Sequence, residues 1–569
     1  MKIKALTILI LLNSTTIFGQ ANYYVSPTGN NSSSGTLAMP WLTIQYGLTQ
    51  LATNDTLNVL TGTFTEKLTI PANNIYLRNH LSNTPVIDAS GIVFQDPIIS
   101  INNKSNVTID GLELKNNIQL NAQGILVDGS GSNIVIKNCK IHDIHFSSNV
   151  TAPVSASTNA QGIIVYGTSS TAAITNLKIQ NNQLYDCRLG YSEGIAVNGN
   201  VNGFEVTNNT VYNLTNIGID IIGHEGTCSN PTNDQARNGL VKKNIVHHCL
   251  SLYASSGGLY IDGGTIITVE NNTSYHNGYG IEIGCENVGK TTDGIIIRNN
   301  IFYDNEICAV ALGGFNYPSG SGKVINSTFR NNTCYYNDFS NSGIGELYLS
   351  YSENTIIENN IFYTTAQNVL TYSELTQPSL VFNYNTIYCL SGNASLIADW
   401  NGISYAGFTA FKMGSGTNSN SQFSAPQFVF ASITIPDFHL TSSSSSINTG
   451  NPFFISAVDE IDIDGELRTN GIVDCGADEY YSATGLNEKI AANQFYISPN
   501  PASELLVITF LSKGKISDKI LIYNLQGIIV LTIETKQTTT VVDVSTLACG
   551  LYFFYNVNYP QHVYKFIKQ

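Results

Sequence analysis

The chain has 569 residues, 42% of them hydrophobic and only 12% charged, with a formal net charge of −15. So apolar a composition excludes a disordered chain, and the shortage of lysine and arginine excludes a nucleic-acid binder, which needs cations to neutralise phosphates. The length exceeds one ordinary core, so several domains or an array of repeats are expected.

The N-terminus comes first. Residues Met1 to Lys4 are basic, Ala5 to Leu12 are apolar, and Asn13 to Gln20 are small and polar. That order predicts a secretory signal over residues 1–20, too short to span a membrane. No later stretch approaches the length of a membrane helix. The expected product is an exported monomer, soluble or attached to the cell surface.

From about residue 105 to about residue 390 two short patterns alternate. In one, apolar residues run into an Asn-rich turn: Ile134–Cys139, Phe204–Asn209, Thr268–Asn272, Ile296–Asn300 and Ile356–Asn360. The other starts on a small residue followed by alternating apolar positions, at Gly124, Gly162, Gly194, Gly218, Gly258, Gly280 and Ala309. The alternation reads as strands, and the recurrence, at roughly 22 to 40 residues, reads as a solenoid. One coil cannot bury its apolar side alone, but stacked coils bury a continuous core. Asparagine tolerates the left-handed backbone of a turn and hydrogen-bonds to its counterparts above and below, so the Asn-Asn pairs are read as structural. His247 and His248 are placed in a turn column and read as structural too. The ten cysteines form no CxxC pair and no zinc pattern. Several, such as Cys187 and Cys249, recur at matching points and read as stacked core or turn residues; their pairing stays open.

Three stretches carry a family likeness. Tyr23–Asn30, with Gly35, Trp41 and Thr43, resembles the opening coil of right-handed parallel β-helix polysaccharide lyases and glycoside hydrolases, the pectate-lyase-like superfamily. Pro436–Leu440, Ile447–Gly450 and Asp462–Arg468 leading to Asp474–Tyr480 resemble the closing segment of many secreted bacterial β-helices. Tyr496–Ala502, Ile522–Gly527 and Leu547–Tyr552 resemble the sorting domain recognised by the type IX secretion system of Bacteroidetes. The resemblance implies an all-β chain: a parallel β-helix of about ten coils over 21–435, a cap at 436–482, a linker at 483–493 and a small sorting β-sandwich at 494–569. Its implied partners are the type IX secretion machinery and an extracellular polysaccharide.

Residues two and four after each small starting residue should point outward. Along the stack they change from Leu126, Ile164 and Ala196 to Asp220, Tyr260 and Glu282, and then to Ala311. Asp262 lies beside that column. With coils about 4.8 Å apart and residues about 3.3 Å apart, Asp262 sits roughly 8 Å from both Asp220 and Glu282 at the backbone. Carboxyl groups about 6.5–9.5 Å apart suit an inverting glycosidase. Asp220, Asp262 and Glu282 are therefore candidate catalytic acids, set against the plainer reading of solvated acids that happen to align. An insertion from Thr227 to Asn238 and the turn Cys285–Lys290 flank them. His224, Glu225, Tyr260 and Tyr279 are candidate substrate contacts, the tyrosines by stacking on sugar rings.

A second chemistry is implied by the lyase resemblance, in which acids hold Ca²⁺ and a lysine or arginine serves as base. Asp220, Asp262, Glu282 and Glu286 would then hold Ca²⁺, with Lys290 or Arg237 as base or neutralising group. The Asp-rich calcium motifs of the best-known pectate lyases are absent. A third reading, an adhesive or glycan-binding stalk, expects uniform outward faces, which the localised acids oppose. Hydrolysis of a polysaccharide is slightly favoured.

Overall fold

The computed structural model describes residues 20–481 except 93–96, 374, 435 and 459, and, beyond them, 495–498, 502–510, 518–524, 528–535, 539–556 and 563–568. The expected signal falls almost wholly outside these residues, and the expected linker falls outside them entirely. The chain divides into two compact units meeting at Tyr480/Tyr481.

The first unit is a right-handed parallel β-helix whose coils each give one strand to three sheets. Sheet 1 runs from Asn22–Val25 to Val381–Asn383, sheet 2 from Leu68–Thr69 to Ile403–Ala406, and sheet 3 from Gly62–Phe64 to Gln422–Phe423. Thirteen strands follow one another along each path, against the expected ten or so coils. The coils before residue 105 lack the Asn-Asn and Gly-started patterns, which accounts for the shortfall. Separately, a third strand in each coil went unread; His247 and His248 belong to one, Ile245–Cys249, not to a turn.

Alternation along sheet 2 sets the core. Ile195, Ile219, Leu259, Ile281 and Val310 align in register and are buried to within 1%. Near the C-terminal end the interior becomes aromatic, with Phe302, Phe329, Phe362 and Phe382 stacked at 5.9–6.3 Å. Two seven-residue helices sit at the ends. Ile44–Gln50 lays Ile44 and Leu48 on the first coils, and Phe408–Gly414 buries Phe408 and Phe411 beneath the last.

The turn from sheet 1 to sheet 3 is made by the asparagine pairs. The first member adopts the left-handed backbone, as at Asn181, Asn208, Asn271, Asn299, Asn331 and Asn359, with φ between 54° and 58°. The second is buried, and its amide donates to the next one in a run Asn182–Asn209–Asn244–Asn272–Asn300–Asn332–Asn360–Asn385, every link between 2.9 and 3.1 Å. Each amide also donates to a strand carbonyl, Asn300 to Val269 at 2.9 Å for instance. On sheet 3 a column of rings, His142–Tyr185–Tyr212–His247–Tyr275–Tyr303, stacks at 4.7–5.1 Å, which gives His247 a structural role.

The described residues of 436–481 run along the side of the stack, over that asparagine turn, instead of closing its end. Glu460 pairs with Arg298 and Arg330 at 2.9 and 2.8 Å, and Asn271, Asn299 and Asn331 donate to carbonyls of Asp462, Ile461 and Asp474. All ten cysteines are free, nine of them buried. The second unit is a sandwich of a three-stranded and a four-stranded antiparallel sheet around Leu506, Ile508, Ile520, Ile522, Val542 and Phe554.

Asn300→Ala strands the backbone N–H of Asn272 and the carbonyl of Val269 in the interior. It is expected to cost about 2–4 kcal/mol, since each buried group left unpaired costs about 1–3 kcal/mol. Urea unfolding of the full chain measures it, and a loss under about 1 kcal/mol would contradict the ladder's role.

Candidate functional site

The outward column of sheet 2 is in the expected register. Leu126, Ile164, Ala196, Asp220, Tyr260, Glu282 and Ala311 are partners in successive coils. Asp262 stands level with Gly284, one coil and two residues from both Asp220 and Glu282, about 8 Å at the backbone by strand geometry.

Two turns bring further carboxylates over this column. The insertion after strand Ile219–Ile222 is folded by Asp234, whose carboxylate accepts the N–H groups of Gly226 and Cys228 at 2.6 and 2.8 Å. It is pinned to the next coil where Gly223 N–H donates to the Asp262 carbonyl at 2.7 Å. Glu225 is carried in on that loop. Glu286 arrives on the turn after strand Tyr279–Gly284, its own N–H donating to Asp262 Oδ1 at 2.7 Å. Glu225, Asp262 and Glu286 each offer an oxygen within 4.8 Å of the others. The Tyr260 hydroxyl donates to Glu286 Oε1 at 3.4 Å.

A sixth carboxylate, Glu193, was not anticipated. It precedes strand Ile195–Gly199, and its charge bears on Asp220. Since Ile195 aligns with Ile219, Glu193 falls level with Ile217, one residue outside the Gly-started pattern. Extending the register one position towards the N-terminus would have found it.

Burial and neighbouring charge raise the pKa of five of these carboxyl groups. Burial first, then Glu193 and Asp262, push Asp220 well above the usual carboxylate range. Burial and then Glu286 do the same to Asp262, although the Glu286 N–H opposes the shift. Burial and Glu286 push Glu282 up to about 8, with no hydrogen bond opposing. Burial, then Glu286 and Glu225, push Glu193 up to about 8 as well. Asp220 is only 3% exposed, and its Oδ1 has no hydrogen-bond partner among the described residues. A cluster of this kind holds protons or a hard cation; Glu225, Asp262 and Glu286 are the oxygen donors best grouped for Ca²⁺. Of the four residues expected to hold it, Asp262 and Glu286 are in that trio, while Asp220 and Glu282 lie outside it.

The basic residues are placed elsewhere. Arg237 opens strand Arg237–Lys242 of sheet 1 and donates to Asn200 Oδ1 and the Gln235 carbonyl, both at 2.9 Å. Lys290 is exposed, and its charge falls on His224. His224 packs its Nε2 between Gln235 Nε2 at 3.2 Å and the Thr291 carbonyl at 3.3 Å, and burial lowers its pKa. Tyr260 and Tyr279 are 4% and 9% exposed, so neither presents an open face for stacking; Tyr260 serves as a donor within the acid cluster.

Comparison with known proteins adds the chain's relations. Residues 233–422 match the family described as right handed beta helix region, and residues 496–569 match the secretion system C-terminal sorting domain. Over 432 residues the chain is 32% identical to the uncharacterized protein YwoF of Bacillus subtilis (strain 168), covering 72% of this chain and 89% of that protein. The chain belongs to the YwoF family. Its sorting domain addresses it to the secretion machinery, and hence to the outside of the cell or its surface. No helix among the described residues is long and apolar enough to cross a membrane.

Two solved structures follow a related course. Pectate lyase Pel9A is 16% identical, with 81% of this chain and 97% of that one covered and a TM-score of 0.43. The A-module of the mannuronan C-5 epimerase AlgE6 of Azotobacter vinelandii is 13% identical, with 65% and 91% covered and a TM-score of 0.45. Likenesses this distant assign no chemistry to the chain.

The cluster has a consequence for stability. Burial pushes Glu193 and Glu282 up to about 8 in the folded chain, against an ordinary value of 4.5. Between those values the native state keeps protons that the unfolded chain has released, so stability declines as pH rises. The melting temperature is expected to fall from about pH 5 to about pH 8. Asp220→Asn, which removes one buried ionisable group, should flatten that fall and raise the melting temperature at the upper end. A melting temperature that climbs over this range would refute the assignment.

Proposed function

We propose that the protein is an exported carbohydrate-active enzyme that hydrolyses glycosidic bonds of an extracellular polysaccharide. One observation carries the reading: carboxyl groups gather over four neighbouring coils of sheet 2, and no lysine or arginine is among the groups that shift them. Glu282, pushed up to about 8 and without a hydrogen bond favouring its charged form, is the general acid that protonates the leaving oxygen. Asp262, whose ionised form is favoured by the Glu286 N–H, activates water. Their backbone separation of about 8 Å suits inversion. Asp220, next along the column, keeps the shared protons on the cluster. Lys290, Arg237 and His224 have no part in this scheme.

The Glu225–Asp262–Glu286 trio supports a second reading, a Ca²⁺-dependent lyase acting on a uronate glycan. A purely adhesive stalk would not need buried acids gathered over neighbouring coils of one sheet.

The full chain is incubated with neutral and uronate polysaccharides, with Ca²⁺ or with chelator. New reducing ends without unsaturated-uronate absorbance are expected. Absorbance abolished by chelator would make it a lyase, and no product from any glycan would leave the stalk. Asp262→Asn and Glu282→Gln should each lower the rate at least about 100-fold with an intact melting curve, the usual effect of losing a general acid or base. Unchanged rates would remove both residues from the mechanism.

A further inference from the structure

Beside the acid column lies a pocket of about 410 Å³ at the turns leading from sheet 3 into sheet 2, lined among others by Ser255, Ser256, Tyr279, Glu306, Ser342 and Ile344. Its volume is within the range of small-molecule sites, about 300–1,000 Å³. No lysine, arginine or histidine lines it.

The walls are held in place from behind. Asp338 gathers the loop at Ser342 by accepting the N–H of Ser342 at 2.7 Å, that of Gly343 at 3.1 Å and that of Gly345 at 3.0 Å. The Tyr253 hydroxyl ties the opposite loop to the Thr215 carbonyl at 2.8 Å.

Two of the pocket's hydroxyls have already spent their protons. Ser342 Oγ donates to Asp338 Oδ1 at 2.7 Å, and Ser256 Oγ donates to the Cys249 carbonyl at 3.2 Å. Neither hydroxyl is then left to donate to a ligand, and Glu306 adds a carboxylate to the lining. A lining of acceptors with an aliphatic wall at Ile307 and Ile344 suits a ligand that is uncharged, bears several O–H donors and has an apolar face. That describes a neutral sugar ring. A uronate would meet Glu306 with no cation to neutralise it.

Tyr279 joins the pocket to the acids. It lines the pocket and bonds with Ser255, and its hydroxyl feels the charge of Glu282. In the preceding coil its partner is Gly257, where a Cβ would stand 3.7 Å from Glu282 Cβ. A side chain there would first meet the Leu259 carbonyl, at 2.5 Å, so the close packing of the backbone requires glycine at this junction of pocket and acid column.

We propose that this pocket is a subsite for a neutral pyranose adjoining the bond acted on at Glu282 and Asp262, so that the substrate is an uncharged polysaccharide. The assignment rests on the reading of those two residues as the hydrolytic pair.

The test separates the two. Full-length protein carrying Asp262→Asn is applied to arrayed neutral hexasaccharides (gluco-, xylo-, manno- and galacto-configured) and to hexagalacturonate and hexaguluronate. Binding to a neutral class is expected, weakened at least tenfold by Ile344→Arg or Glu306→Lys with the melting curve unchanged. Binding confined to the uronates, binding to none, or affinity indifferent to both pocket variants overturns the subsite. If the wild-type protein cleaves neutral glycans while the pocket variants bind normally, the subsite alone is wrong. If neutral glycans bind through the pocket but are never cleaved, the subsite stands and the hydrolytic reading falls.

Discussion

The buried asparagine ladder is the interaction on which the rest depends. Eight side chains from Asn182 to Asn385 link successive coils and answer the backbone groups that each turn would otherwise leave unpaired. With a residue in the left-handed backbone before each, every coil leaves sheet 1 at the same angle and enters sheet 3 at the same height. Register in sheet 2 follows from this repetition. Coils of different length, such as that carrying the insertion after Ile222, still deliver Ile219 opposite Leu259 and Asp220 opposite Tyr260. Loops vary while strands do not, which is what allows a solenoid to carry a site.

The acid cluster opposes the stability the ladder provides. Parallel strands bring side chains of neighbouring coils within about 5 Å, where like charges repel, and burial removes the water that would screen them. The column can hold its acids only with protons on several of them or with a hard cation among them. In the proposed mechanism the same condition supplies a proton donor, Glu282, beside Asp262, whose ionised form has a backbone N–H to favour it. Stability and chemistry therefore draw on one set of titrations.

Much of this was legible in the chain. The Gly-started segments gave the order and facing of Asp220, Tyr260, Asp262 and Glu282, because period-two alternation on a buried sheet tolerates no slip. Asn-Asn pairs announced the turn. What failed to show had physical reasons. Glu193 sits where a turn interrupts alternation. Arg237 is close to the acids in sequence, but the coil corner between Ile222 and Arg237 carries it to another sheet. Tyr260 and Tyr279 look like sugar platforms by residue type, yet the neighbouring coils and loops cover their rings. The closing segment reads as a cap because it comes last, whereas Glu460 takes it to Arg298 and Arg330 along the side.

The two short helices have one more consequence. A stack of parallel coils ends in exposed strand edges, and an exposed edge is a template for another chain. Left bare, each molecule would have two adhesive ends, and head-to-tail growth would give fibres without limit. Ile44–Gln50 and Phe408–Gly414, seven residues each, put side chains where the next coil would dock. For a protein sent outside the cell, beyond the reach of cytoplasmic chaperones, those few residues cover the edges on which another chain could add.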